Sequence, residues 1–126
     1  MFSNLQADRE EDRQKLKNAH DKCQADPATA IDEDALKTLR ESKGKGASPP
    51  NGGAHALCVS KSLGWQNADG SINKDHLKER ISANVDDAAK VDEIFAEATV
   101  EKENETATAE HLFKVFFKYN RDRHDH

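Results

Sequence analysis

An all-α domain of about six helices is predicted by three features of this chain. Apolar residues in its last third recur at three- and four-residue steps, which is the signature of amphipathic helix. No segment alternates apolar and polar residues with period two, so strands have no support. Gly, Pro, Asn and Asp cluster where helices must begin or end. At 126 residues the chain makes one domain over 1–126, with frayed ends expected near 1–5 and 120–126.

Each helix has its own local reason. The segment Asn4 to Gln24 is rich in Asp, Glu, Arg and Lys, with a thin apolar line at Leu16, Ala19 and Cys23, as in a mostly exposed first helix. Pro27 keeps it from continuing. Asp32 can cap a short second helix through Glu41 whose inner side is Ala35, Leu36 and Leu39. From Ser42 to Gly53 the breakers are too dense for helix or central strand, so a flexible loop is expected there. A third helix follows from Ala54 to Leu63, stopped by Gly64, with Ala54, Leu57, Cys58 and Ser62 along one side. Asn73 can cap a fourth through Ser82 that carries Leu77 and Ile81. The strongest patterns come last. Asp86 can cap a fifth helix carrying Ala88, Val91, Ile94, Phe95 and Ala98, and after a polar break at Glu101 to Glu105 the segment Thr106 to Tyr119 carries Ala109, Leu112, Phe113, Val115, Phe116 and Phe117. So wide a final stripe predicts burial on more than one side.

Composition removes several function classes. Charged residues are 34% and hydrophobic residues 35%, so the scarce apolar material must concentrate on a few helix faces; disorder is the competing reading, and periodicity argues against it. The net charge of -5, with basic residues scattered among acids, gives no footprint for nucleic acid. No apolar run approaches a membrane span, so membrane insertion is not expected, and the chain reads as cytosolic or as a mature secreted form. Asn104-Glu105-Thr106 is a glycosylation sequon, meaningful only in a secreted protein.

Candidate chemical sites are weak. Asn67, Asp69, Gly70, Ser71, Ile72 and Asn73 resemble half of a calcium loop, but Trp65 and His76 would stand where carboxylates must coordinate. An Asp-Gly turn feeding the fourth helix fits better. The tail Arg121 to His126 offers two imidazoles and a carboxylate, yet a solvated terminus is the simpler account. His20, His55, His76 and His111 lack zinc-site spacing, and nothing orients a Cys-His pair for catalysis. Neither a cofactor, a metal nor an enzyme is expected. His111, one turn from Phe113 and Phe116, is a candidate pH sensor against the competing reading of an exposed helix histidine.

Cys23 and Cys58 are the only cysteines, and as residues they leave open a bridge or two reduced thiols. The second opens Cys58-Val59-Ser60-Lys61-Ser62-Leu63-Gly64-Trp65, which runs on to Asn67-Ala68-Asp69-Gly70-Ser71-Ile72-Asn73. That arrangement resembles the insect odorant-binding protein family, in which a helical Cys-x-x-x-Cys precedes a Leu-Gly turn, an Asp/Gly loop and an apolar residue opening the next helix. Six cysteines there form three bridges, first to third, second to fifth and fourth to sixth. By this resemblance Cys23 and Cys58 take the first and third positions, which are partners. Ala54, Ala98, Thr106 and Val115 take the second, fourth, fifth and sixth. Both members of two bridges are thus absent together, and the last two helices must hold by apolar packing.

The resemblance implies about six helices around an apolar cavity closed by one disulfide, and non-covalent transport of a small hydrophobic ligand such as an odorant, pheromone or fatty acid. It implies secretion into sensory lymph or hemolymph. Leu57, Ser62, Ile72, Leu77, Ile81, Ile94 and Phe95 are then the expected pocket residues on the earlier helices, with Ser62 a polar anchor. Ala109, Leu112, Phe113 and Phe116 complete it from the last helix. Two other readings compete: an interaction protein or weak homodimer docking through Phe117 and Tyr119, and a filled, ligand-free hemolymph protein of the same fold.

Overall fold

The computed structural model describes residues 4–42 and 50–124, with the side chains of residues 4–9, 40 and 120–124 left aside. Six helices follow one another, α1 (Asn4–Gln24), α2 (Glu33–Glu41), α3 (Gly52–Leu63), α4 (Lys74–Asn84), α5 (Ala88–Ala98) and α6 (Glu105–His124). Among the described residues the only pairing of extended backbone is an isolated bridge between Gln66 and Ile72. The expected all-α architecture is present. The middle of the expected breaker loop, residues 43–49, and the outermost residues of both expected frayed ends lie outside the described residues.

Local chemistry explains the boundaries. Asn73 Oδ1 accepts from the backbone N–H of His76 to start α4, as its position implies. α5 is capped by Asp87, whose Oδ1 accepts from Ala89 N at 2.9 Å, and not by Asp86 as expected. Asn104 Oδ1 accepts from Ala107 N at 2.8 Å and opens α6 one residue before the expected start. α6 also runs past Tyr119 to His124, where neither Gly nor Pro stands to stop it. α3 ends where Gly64 turns into the left-handed region at φ 81, a conformation that hydrogen-bonds its N–H to Lys61 O and costs glycine nothing.

Packing is organised around α3. It lies against α6 on one side and α1 on another, α4 packs on α5 and α1, and α5 packs on α6. Being covered twice, α3 buries Gly52, His55, Ala56, Val59 and Ser60, a register different from the expected side of Ala54, Leu57, Cys58 and Ser62. Two of the buried positions, His55 and Ser60, are polar, so apolar pattern alone does not mark the inner side. Cys23 and Cys58 form a disulfide with Cα atoms 6.1 Å apart, joining α1 to α3. One apolar cluster surrounds it, with Ala19, Cys23 and Val59 buried and Leu16, Leu63 and Phe113 packed on them. A second cluster unites α4, α5 and α6 through Leu77, Ile94, Ala98, Leu112, Val115 and Tyr119. Ala98 and Val115, placed by the resemblance where a missing bridge would run, thus meet in one apolar cluster. α2 forms no comparably extensive interface with another helix among the described residues.

Candidate functional site

The helices do not fill the space between them. A cavity of about 1760 Å³ opens among α1, α3, α4, α5 and α6 and reaches α2, larger than the roughly 300 to 1,000 Å³ common for ligand pockets. The excess has a visible cause: exposed Arg13, Lys15, Lys17 and Asn18 of α1 also line it, so the inner space runs out into a surface cleft.

The inner wall is aromatic. Trp65 meets Phe113 at 4.9 Å and Phe116 at 5.6 Å between ring centroids, and Phe117 stands 5.7 Å from Phe116 and 6.0 Å from Phe113. The rings are tilted or edge-on, the arrangement their quadrupoles prefer. They project from one face of α6 onto the turn that Gly64 makes possible, and this close approach leaves their outer faces toward the void. Opposite them, α4 and α1 are tied at the cavity wall by a polar clasp. Arg80 Nη1 donates to Asp12 Oδ1 at 2.7 Å, and Asn84 Nδ2 donates to Asp12 Oδ2 at 2.6 Å. Ile31, Leu36 and Leu39 bring the connector after α1, and α2 itself, to the same space.

Several expected pocket residues gather here, and others do not. Ser62, Leu77, Ile81, Ile94, Leu112, Phe113 and Phe116 line the cavity, Ser62 being exposed at its edge. Leu57, Ile72, Phe95 and Ala109 do not line it. Leu57 falls off the inner side because of the shifted α3 register. Ile72 and Ala109 are buried in helix packing instead, and Phe95 is half-buried with the Lys78 ammonium 5.4 Å from its ring centre. Sequence reading missed Trp65, Ala56, Val59, Val85, Val115 and Phe117 as lining residues. For Trp65 the signal was there: a lone tryptophan directly after the glycine that stops a helix.

Phe117 and Tyr119, expected on an outward docking face, are 7% and 8% exposed and point into the protein. Tyr119 Oη donates to Glu97 Oε1 at 2.6 Å and lies 3.1 Å from Glu93 Oε2, so burial and the two carboxylates push its phenol well above the usual range. The same hydrogen bond holds the Glu97 carboxyl below its ordinary value, helped by Lys118. His111 is half-buried and donates from Nε2 to Glu97 O at 2.7 Å, in contrast to a freely solvated helix histidine.

A polar chain not foreseen from spacing runs along the α1 side. His55 Nδ1 bonds Thr29 O at 2.8 Å, His55 Nε2 faces His20 Nδ1 at 3.0 Å, and His20 Nε2 meets Glu33 Oε2 at 2.9 Å. Both ends of this chain can only accept, so the outer nitrogen of each ring carries a hydrogen. The central contact needs one more. Burial lowers the proton affinity of His55. Hydrogen bonds from His20 and Gln24 hold Glu33 below its ordinary carboxyl range. His20 and His55 both line the cavity.

In the Asp-Gly loop, Asp69 Oδ1 accepts from Ser71 N and Oγ, and Gly70 turns with φ 94 where a side chain would collide with Glu105. No group of three metal-capable side chains gathers among the described residues. The tail from Arg121 to His126 lies outside the described side chains. No described helix is long and apolar enough to cross a membrane.

A family model described as the PBP/GOBP family, that of pheromone- and general odorant-binding proteins, matches residues 6–119. No match was found among curated proteins or among solved structures. The matched span covers nearly all of the chain, and the chain belongs to the PBP/GOBP family.

Proposed function

We propose that this member of the PBP/GOBP family carries a small hydrophobic molecule, such as an odorant, a pheromone or a fatty acid, through an insect's sensory lymph or hemolymph. The observation that carries this reading is the open, aromatic-walled cavity among helices whose apolar residues could otherwise have closed on one another. At about 25 cal/mol per Å², burying roughly 300 Å² of apolar ligand surface contributes about 8 kcal/mol, the scale of micromolar affinity without strong polar contacts. Phe113, Phe116, Leu112, Leu77, Ile81 and Ile94 supply that contact, with Trp65 against one end. Ser62 at the edge is the polar anchor for a hydroxyl or carbonyl. Leu57, Ile72, Phe95 and Ala109 act at one remove, through packing.

Family membership and the disulfide support an extracellular setting, since such bonds persist in oxidising compartments. Docking through Phe117 and Tyr119 has little support, because both side chains are turned inward. The test is displacement of an apolar naphthylamine probe by long-chain alcohols and fatty acids, read together with Trp65 fluorescence. Displacement at micromolar concentrations with a change in Trp65 emission is the expected result. Absence of probe binding, with no rise in Tm under any of these ligands, would overturn the carrier reading.

A further inference from the structure

The sequon Asn104-Glu105-Thr106 is the one motif of the chain that ligand carriage does not use. Asn104 is exposed on the turn between α5 and α6. Its amide has two chemically distinct ends, and the fold engages only one of them: Oδ1 accepts from Ala107 N at 2.8 Å, while Nδ2 donates to no described group. An N-linked glycan attaches through that nitrogen, replacing one hydrogen and leaving the oxygen free to accept. The cap of α6 and a glycan on the same side chain are therefore compatible. The turn also stands clear of the ligand space, since no residue from 99 to 109 lines the large cavity.

Beside Asn104 lies a shallow polar depression of about 250 Å³, bounded by Asp69, Ser71, Lys102, Glu105 and Thr108. It offers hydrogen-bonding groups to a first sugar ring and no apolar floor for a hydrophobic guest. Thr106, whose hydroxyl completes the acceptor motif, lies in the first turn of α6 with its methyl group pressed on Gly53 of α3. Before α6 docks on α3 the Thr106 side chain is free of this contact. The only disulfide joins α1 to α3, so no covalent tie forces α6 into place early.

From these observations we infer that Asn104 is a glycosylation site, modified by a lipid diphosphate-linked oligosaccharide as the chain enters the secretory pathway and before α6 docks: a bond forms from Nδ2 to the first sugar's C1, the bond from C1 to the donor's phosphate oxygen breaks, and the amide gives up one proton as the lipid diphosphate leaves. The inference rests on the extracellular reading above, not on ligand binding itself. The test is the full chain secreted by insect cells behind a heterologous leader, in four forms: wild type, Asn104→Gln, Thr106→Ala and Thr106→Ser. Intact mass is measured before and after an amidase that releases N-glycans. A releasable glycan on wild type and Thr106→Ser, lost in Asn104→Gln and Thr106→Ala, is the expected result. Thr106→Ala keeps the Asn104 cap, so its loss of glycan cannot be charged to a broken helix start. Secreted wild type with the Cys23–Cys58 bridge formed and Asn104 unmodified would overturn the inference. The same samples enter the probe assay, so a glycosylated protein that binds no ligand would sink the carrier reading alone.

Discussion

The two halves of the molecule are held by different forces. In the first, α1 and α3 are cross-linked by Cys23–Cys58, and side-chain hydrogen bonds hold the connector before α2 and Glu33 at its start. Gln24 donates from Nε2 to Ile31 O and Glu33 Oε2 while its Oε1 accepts from Ile31 N, and Asn51 Nδ2 donates to Ala28 O and Ala30 O. In the second half α4, α5 and α6 share a continuous apolar cluster with no covalent tie, finished by Tyr119 against Glu93 and Glu97. The first half thus adds a covalent bond and directional, titratable contacts to its apolar cluster, while the second depends chiefly on packing. The cavity lies between them, so its two walls answer to different conditions.

The largest way to break this contrast is to remove the cross-link. Replacing Cys23 and Cys58 by serine together should cost about 4 kcal/mol, since the bond closes a loop 35 residues long. Denaturant melts check this, and hydrogen exchange should show α1 and α2 loosening before α6. Next comes the packing half. Leu112→Ala, at a side chain 3% exposed, should cost about 3 kcal/mol, with exchange now rising first in α5 and α6. Equal loosening of both halves in either variant would erase the distinction.

Acid sharpens the contrast by touching one side only. Folded His55 takes a proton less readily than the unfolded chain, whose ordinary value is 6.5. Stability is therefore whole above that value and falls as pH drops through it toward the lower folded value. The Glu33 and Glu97 carboxyls, both held below the ordinary 4.5, respond only in more acid solution. Were both rings to carry two hydrogens, His20 Nδ1 and His55 Nε2 would set N–H groups face to face and open the central contact. Between about pH 7 and 5 the Tm of the wild type should fall, and His55→Leu should flatten this slope. An unchanged slope in that variant would remove His55 from the account.

The smallest effect belongs to the phenol. Tyr119→Phe should cost about 1 kcal/mol and let the Glu97 carboxyl rise toward its ordinary range, measurable by side-chain titration in NMR. The His55 slope should not change.

How far the sequence could be read depended on whether a residue's fate was decided locally. Asn73 as a cap and Gly64 as a stop needed only their neighbours, and both were legible. The α5 and α6 stripes placed Ile94, Leu112, Phe113 and Phe116 on inward faces, because strong periodicity leaves one way to bury them. The α3 register was not legible, since helices on two sides bury His55 and Ser60 as fully as any aliphatic residue. Phe95 misled for the opposite reason: its stripe is apolar, but the Lys78 ammonium covers it at the surface. The bridge was reached only through the family resemblance. The histidine chain did leave a trace. His20 and His55 each precede a bridging cysteine by three residues, one helical turn, so the pairing that joins Cys23 to Cys58 also draws the two rings together.

A lone cross-link also simplifies the chemistry of maturation. Six thiols permit more than a dozen intramolecular pairings, most of them traps that an isomerase must undo; two permit one. Oxidation of this chain has no scrambled monomer to correct, and any mispaired product must be a covalent dimer, visible at once on a non-reducing gel.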